Sequence, residues 1–61
     1  MKAGDLVKYC YIEEVFNSTM RQTKESIGII VIPGQTPTIL DSETGQVHEA
    51  LFITEVIHED R

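Results

Sequence analysis

The sequence contains no tryptophan, a single cysteine and no long apolar run. Because Cys10 is alone, it cannot form an intramolecular disulfide, and no group of cysteine and histidine residues has the spacing of a zinc site. The longest uninterrupted apolar run, residues 29–32, is far too short to span a bilayer. The N-terminal residues lack the apolar stretch of a signal peptide, and a free cysteine fits a reducing compartment. These absences predict an intracellular protein that is not secreted and has no membrane partner.

Positive charge is also scarce. Lysine and arginine together number 5, against 10 aspartate and glutamate residues, which gives a net charge of −5. Non-specific binding to nucleic acid depends on Lys and Arg displacing counterions from phosphates, so this balance disfavours it. It equally disfavours attachment to an anionic membrane surface. Nucleic acid is therefore a less favoured partner class than protein.

Size limits the stability of the chain. It has 61 residues, enough for one domain spanning residues 1–61. A domain of this size buries only about 60% of the surface that its unfolded chain exposes. Its core rarely contributes more than about 3–5 kcal/mol of net stability. Since the sequence offers neither a disulfide nor a zinc site, we expect self-association, or docking on a protein partner, to add stability.

Short segments rich in β-branched and aromatic residues alternate with turn signals, the pattern of β-strands. No segment has the length of a helical crossover between parallel strands. The pattern therefore predicts an all-β fold, a small five-stranded barrel whose closure removes exposed sheet edges. The predicted strands are residues 6–12, 27–32, 38–41, 46–50 and 54–57.

The first two predicted strands carry the clearest burial pattern. Alternation places Val7, Tyr9 and Tyr11 on one face of the first strand. Residues 27–32 are apolar on both faces, which predicts the most buried strand of the domain. Within it, Gly28 fits a bend, a bulge or a point of close packing. The opposite face of the first strand carries Leu6, Lys8, Cys10 and Ile12.

The second half of the chain predicts tighter turns. Gly45 is expected in a left-handed conformation between the third and fourth strands. In the fourth strand, Val47 is expected to face inward and His48 outward. Residues 51–53 are too short for a helix but suit a 3₁₀ turn that plugs one end of a barrel. Residues 58–61 are predicted to be a polar tail.

Residues 13–26 fit two structures. Their Asn, Ser and Thr residues are poor interior helix formers, and no clear cap frames the segment. A short helix and a long ordered loop both remain open, and the composition favours the loop. The apolar residues that are spaced like one face of a helix are Ile12, Val15, Phe16 and Met20.

Three stretches carry a resemblance to a known family: GDLVKY at residues 4–9, IGIIV at residues 27–31 and VHEALFITEVI at residues 47–57. In this order and spacing they resemble the very small SH3-like barrel proteins of tailed bacteriophages, notably those of cyanobacteria. The tryptophan that is frequent in the third strand of such proteins is absent here. The resemblance implies a five-stranded SH3-like barrel with a long loop or short helix between strands 1 and 2. It also implies a small viral accessory protein, a virion component or a binder of a host protein, located in the host cytoplasm or the virion.

The opening GDLV followed by a glycine-containing strand is also similar to KOW modules, SH3-like elements that contact RNA, ribosomes or RNA polymerase. Modules of this type that bind RNA usually rely on basic surfaces, whereas this chain is acidic. Fold similarity alone does not carry function across. The resemblance leaves one alternative function, a contact with nucleic acid or the transcription and translation machinery through Lys8, Arg21 and Lys24.

No group of residues has the composition of a catalytic site. The segment after IGIIVI contains Pro33 and Gly34 but lacks the lysine and the following helix of a phosphate-binding loop. His48 and His58 each precede a glutamate but have no third ligand, so they are predicted to be solvated surface residues. No serine has an identifiable base partner. The chain is therefore predicted to be non-enzymatic, with no cofactor, no metal and no small-molecule substrate.

An interaction surface is the remaining functional prediction. Apolar and aromatic residues near segment 13–26 have the composition of the surface that borders the ligand groove in SH3-like barrels. The alternative is that these residues complete the small core. We predict a protein–protein interaction module that binds through this surface and the cations beside it. The predicted partner-binding residues are Tyr9, Tyr11, Val15, Phe16, Met20, Arg21 and Lys24.

Overall fold

A five-stranded antiparallel sheet forms the fold of residues 2–14 and 21–60, the part of the chain that the computed structural model describes. Its strands are β1 (Leu6–Glu14), β2 (Arg21–Ile32), β3 (Thr38–Asp41), β4 (Val47–Glu49) and β5 (Phe52–His58). In the order β4-β3-β2-β1-β5, every strand pairs antiparallel with its neighbours, so β5 returns beside β1. These residues contain no helix, which confirms the all-β prediction.

β1 and β2 extend beyond their predicted ends and form a hairpin arm. Their register runs without interruption as far as the pair Glu14 and Arg21. The prediction of a loop or short helix over residues 13–26 is therefore wrong at both ends of that segment, while residues 15–20 lie outside the described part of the chain. The start of β2 is exposed on both faces, so it lacks the apolar alternation of a half-buried strand. Ladder hydrogen bonds to β1 satisfy its backbone instead.

The sheet is strongly curved but not closed into the predicted barrel. β4 and β5 are the two edge strands, and along the described chain they do not pair with each other. In a flat sheet, side chains on β1 and β4 would be about 14 Å apart, because neighbouring strands are about 4.8 Å apart. The ring centroids of Tyr11 on β1 and His48 on β4 are only 4.1 Å apart. Neither edge strand is long and regular, since β4 has only three residues and β5 shifts register twice against β1.

The concave face of the sheet holds a small core. Tyr11 is half-buried and packs against this core from β1. The predicted sharing of one face by Val7, Tyr9 and Tyr11 is therefore confirmed. The fully buried apolar cluster consists of Val7, Tyr9, Ile30, Ile39 and Ala50.

β2 does not have the burial that its composition predicts. Only Gly28 and Ile30 are buried, whereas Ile29 is 41% and Ile32 59% exposed. The prediction of a strand buried on both faces is wrong, because no second layer in the described chain covers the outer face of the sheet.

The orientation of β4 is the reverse of the predicted one. The register pairs His48 with the buried Ile39, which places the imidazole on the concave side. Val47 pairs with Leu40 on the outer side and is 60% exposed. The sequence did not reveal this orientation because it depends on the pairing of β4 with β3, and a shift of one residue exchanges the two faces.

The C-terminal part of the described chain, from residue 51 onward, also differs from the prediction. Residues 51–53 do not form a 3₁₀ turn, since β5 already begins at Phe52. The polar tail is held in place, because the Asp5 carboxylate accepts hydrogen bonds from the backbone N–H of Asp60 at 2.9 Å and of Lys2 at 3.0 Å. These two donors hold the pKa of the buried Asp5 below its ordinary value.

Candidate functional site

A groove opens between the inner side of β1, β4 and the loop that connects β2 to β3. At its centre the rings of Tyr11 and His48 are stacked, with centroids 4.1 Å apart and an interplanar angle of 13°. Its volume is about 300 Å³, the lower end of the range for small-ligand sites. We call it the Tyr11–His48 groove. It is lined by Tyr11, Ile12, Thr36, His48, Glu49, Ala50 and Leu51.

Backbone hydrogen bonds fix the wall of the groove at the link between β4 and β5. The N–H of Ala50 donates to the carbonyl of Pro37 at 2.8 Å, and the N–H of Leu51 donates to the carbonyl of Cys10 at 2.7 Å. The side chain of Leu51 is 48% exposed and that of Ile12 is 45% exposed. The groove therefore combines a fixed backbone with apolar side chains that are accessible to a ligand.

Tyr9 supports the aromatic pair from beneath. Its ring centroid lies 5.6 Å from that of Tyr11 and 6.5 Å from that of His48. Tyr9 has no exposed surface, and its hydroxyl donates a hydrogen bond to Oδ2 of Asp41 at 2.8 Å. Aromatic pairs at these separations are favourable beyond the area that they bury. The three rings therefore form one packed unit that holds the groove in shape.

Asp41 anchors this unit although it is only 2% exposed. Burial alone would raise the pKa of its carboxyl, but the hydrogen bonds that it accepts outweigh burial and hold that pKa well below its ordinary value. Burial and the bond to Asp41 raise the pKa of Tyr9. At neutral pH the Asp41 carboxylate is ionised and the Tyr9 phenol is neutral, so the role of this pair is to stabilise the fold. The donors are the Tyr9 hydroxyl, the Ser26 side chain and the backbone N–H groups of Glu43 and Thr44.

The chemistry of the groove fits a cation better than an anion. Glu49 is exposed and belongs to the lining, and it directly follows His48 in β4. A guanidinium or ammonium group is attracted both by a carboxylate and by the face of an aromatic ring. Leu51 and Ile12 offer apolar contact to the aliphatic stem of such a side chain.

The structure brings some of the predicted partner-binding residues together and separates others. Tyr11 lies in the groove, and Tyr9 lies beneath it in the core. Arg21 and Lys24 are exposed on the hairpin arm, where Lys24 pairs in register with Tyr11. Outside the described residues lie the other three: Val15, Phe16 and Met20.

Two of the cations in the alternative nucleic-acid site are paired with glutamates. Nζ of Lys8 lies 3.1 Å from Oε1 of Glu25, and Nζ of Lys24 lies 3.0 Å from Oε2 of Glu13. The hydrogen bond to its glutamate raises the pKa of each lysine. Each pair is locally neutral, which reduces the attraction of each lysine for phosphates.

Two residues important to the groove were not predicted from the sequence. His48 was expected in solvent but is half-buried and stacked on Tyr11. Asp41 was predicted only as the end of a strand. Its position before Ser42-Glu43-Thr44 carries a usable signal, because an Asp at the start of a turn accepts hydrogen bonds from the backbone that follows.

Within residues 2–14 and 21–60, no three His, Cys, Asp or Glu side chains lie together in a way that could hold a metal ion. The same residues contain no helix that is long and apolar enough to cross a membrane. In comparisons with known proteins, the chain matches no protein-family model, no curated protein and no solved structure.

Proposed function

We propose that this chain is a non-enzymatic protein-interaction module that binds an extended, basic segment of a partner in the Tyr11–His48 groove. The observation that carries the proposal is the stacked pair of Tyr11 and His48 in an open groove with an accessible apolar wall and an acidic residue, Glu49, in its lining. An open groove of this kind fits a segment of chain better than an enclosed small molecule.

We also propose that the curved sheet is an incompletely closed SH3-like barrel, the fold that the resemblance implies. The link between the edge strands supports this. Only residues 50–51 connect β4 to β5, so the strand ends can be at most about 11 Å apart, three steps of about 3.8 Å. In a flat sheet the same edges would be about 19 Å apart. The short link therefore requires the barrel-like curvature.

Charge complementarity favours a basic segment as the occupant. The chain has a net charge of −5. Lys8 and Lys24 are each engaged by a glutamate, so they offer little to an acidic partner. Attraction between a negative protein and a positive segment speeds their encounter, and it weakens as salt screens the charges. Binding should therefore be strongest at low ionic strength.

The biological setting that we propose for this module is based on the resemblance of residues 4–9, 27–31 and 47–57 to the small barrels of tailed phages. On that basis we propose an accessory protein of a phage, either a part of the virion or a binder of a host protein. The alternative, a KOW-like contact with nucleic acid, would need the cations Lys8, Arg21 and Lys24 to face phosphates. The net negative charge and the two lysine–glutamate pairs favour the protein partner.

The proposal can be tested with three labelled peptides of equal length that carry arginine, glutamate or serine at the same positions. We expect the arginine peptide to bind, as measured by fluorescence anisotropy, and the other two to bind much more weakly. In NMR titrations, the amide shifts should concentrate at Tyr11, His48 and Leu51. Glu49→Gln should weaken binding several-fold, because it removes the negative charge of a residue that lines the groove.

Glu43→Gln is the matched control, since it removes one exposed negative charge from the turn between β3 and β4. It changes the net charge by the same amount and should leave the affinity almost unchanged. Equal binding of the glutamate peptide, or shifts located away from the groove, would contradict the proposal. A salt-dependent mobility shift with RNA that disappears when Lys8, Arg21 and Lys24 are replaced by alanine would favour the alternative.

A further inference from the structure

The outer face of the sheet carries a row of aliphatic side chains across four neighbouring strands. The register pairs Leu6 with Ile29, Ile29 with Leu40 and Leu40 with Val47. Paired residues of antiparallel strands project to the same side, so these four side chains form one continuous row, which we call the outer stripe. Ile29 and Leu40 are each 41% exposed and Val47 is 60% exposed.

The outer stripe and the stacked rings of Tyr11 and His48 lie on opposite faces of the sheet. Successive residues of a strand point to opposite sides. The residues adjacent in sequence to the stripe point to the concave side. They are Val7 beside Leu6, Ile39 beside Leu40 and His48 beside Val47. A partner could therefore occupy one face without covering the other.

The stripe is more than scattered surface hydrophobicity. Among the described residues, ten large apolar side chains are exposed, while the fully buried apolar cluster has five members. Single exposed apolar residues are ordinary, but a contiguous apolar patch on a soluble domain usually marks an interaction site. The exposed apolar residues of this chain include the outer stripe, whose members are neighbours in the register of the sheet.

The edge strand β5 is a weaker candidate for association. Its pairing with β1 shifts register twice, between Leu6 and Val7 and between Lys8 and Tyr9. Such irregularities protect a sheet edge, because they break the regular array of hydrogen-bonding groups that another strand would extend. Association through the face of the sheet is therefore favoured over association through β5.

We propose that the outer stripe is the interface of a symmetric homodimer. A second copy presents the same uncharged row, so aliphatic side chains meet aliphatic side chains across a two-fold axis. The basic segment proposed for the groove has no carboxylate to meet within the stripe. An anionic lipid surface would be repelled by a chain with a net charge of −5.

The size of the face limits a dimer to a modest interface. Laid flat, five strands about 4.8 Å apart span about 19 Å and nine residues of β1 span about 30 Å, which gives at most about 570 Å² per copy, because the face is curved and β3 and β4 are shorter than β1. Two copies would then bury at most about 1,100 Å², close to the roughly 1,000 Å² that a specific interface needs. The face of one copy is about an eighth of its 4533 Å² accessible surface. We therefore expect a reversible dimer rather than an obligate one.

The border of the stripe has the mixed polarity of an interface rim. Lys8 pairs in register with Ile27 on β2 and with Glu55 on β5, next to the stripe on the same face. Nζ of Lys8 also lies 3.1 Å from Glu25. Charges of both signs around an apolar centre are typical of protein–protein interfaces.

Sedimentation equilibrium of the full chain over a wide concentration range tests the proposal. The unmodified chain should show a monomer–dimer equilibrium. Leu40→Lys should raise the dissociation constant at least about tenfold, because it places a charge inside the buried row. Val47→Thr keeps strand propensity and a similar shape, and it should raise the constant by a smaller factor. Circular dichroism confirms that each variant remains folded.

Leu51→Lys is the matched control, because Leu51 is 48% exposed but lies in the groove. It should leave dimerisation unchanged, while Leu40→Lys should leave binding of the arginine peptide unchanged. The two proposals can therefore fail separately. An unmodified chain that stays monomeric at all concentrations would overturn the dimer. So would a dimer that both stripe variants leave intact, or a monomer whose stripe amides shift only with phosphatidylglycerol vesicles.

Discussion

Replacing Gly28 by alanine would place a methyl group of β2 against β3. A Cβ at this position would lie 2.5 Å from Cγ2 of Ile39 and 2.5 Å from the backbone oxygen of Leu40. The pairing of Gly28 with Val7 and Asp41 is regular, and the register shift of β2 against β3 lies further along, between Ile30 and Ile32. Of the three roles predicted for this glycine, close packing therefore fits the contacts, and a bulge does not.

The cost of the methyl group follows from what surrounds it. The Ile39 side chain is fully buried, and the Leu40 carbonyl is backbone, so neither can yield without moving the core or the strand. Overpacking of this kind costs about 1–3 kcal/mol. The reduced entropy of the unfolded chain returns about 0.4–1 kcal/mol. A net loss of about 1–2 kcal/mol lowers the melting temperature of a domain this small by roughly 5–15 °C.

Thermal and urea unfolding followed by circular dichroism would measure this loss, and Gly28→Val should lose more than Gly28→Ala. Gly45 is the control, because a Cβ there would meet no atom within 4 Å while φ is +75°. That left-handed conformation confirms the predicted turn glycine. Gly45→Asn should be tolerated better than Gly45→Ala, since asparagine adopts this region more readily. At Gly28 asparagine should be no better than alanine. A melting temperature for Gly28→Ala equal to or above that of the unmodified chain would refute the reasoning.

Two further predictions concern the buried pair of Tyr9 and Asp41. Tyr9→Phe removes the hydroxyl that lies 2.8 Å from Oδ2 of Asp41. It should lower the free energy of unfolding, measured in urea, by about 1.5–3 kcal/mol, the range for hydrogen bonds to charged groups. An unchanged free energy would mean that the bond contributes nothing. The pKa of Asp41 is lower in the folded chain than in the unfolded chain, so the unfolded chain takes up the proton first as the pH falls. The ionised Asp41 carboxylate therefore stabilises the fold above about pH 4, and this contribution is lost progressively below that pH. Asp41→Asn should therefore be less stable than the unmodified chain at pH 7, and the difference should narrow at pH 3; parallel pH curves would contradict this.

Local signals in the sequence predicted much of the fold. The bounds of β3 agree with the prediction, as do the shared face of Val7 and Tyr9 and the conformation of Gly45. Each of these depends on residues close together in the chain, through strand alternation or turn chemistry. The length of β2 could not be predicted in this way. Its polar start, RQTKES, is a strand only because β1 lies beside it and pairs with its backbone.

The candidate site was predicted only in part for a related reason. Tyr11 was identified because its aromatic ring alternates with neighbours on one strand. His48 was missed because its contact with Tyr11 joins strands that are three positions apart in the sheet. That contact depends on the curvature of the sheet and on the register between β3 and β4, which a single sequence does not reveal.

The incorrect burial prediction for β2 also bears on the outer stripe. Apolar residues on both faces of a strand predict burial of both faces only if something covers each of them. Among residues 2–14 and 21–60 no second layer covers Ile29, which is 41% exposed. A strand in this sheet does not require an apolar outer face, because one register row away the same face accommodates Lys8 with its partner Glu25. Strand formation therefore does not explain why Leu40 and Ile29 are both aliphatic and adjacent. A second copy that covers the row explains it, and dimerisation would remove from water the apolar surface that this small core leaves exposed.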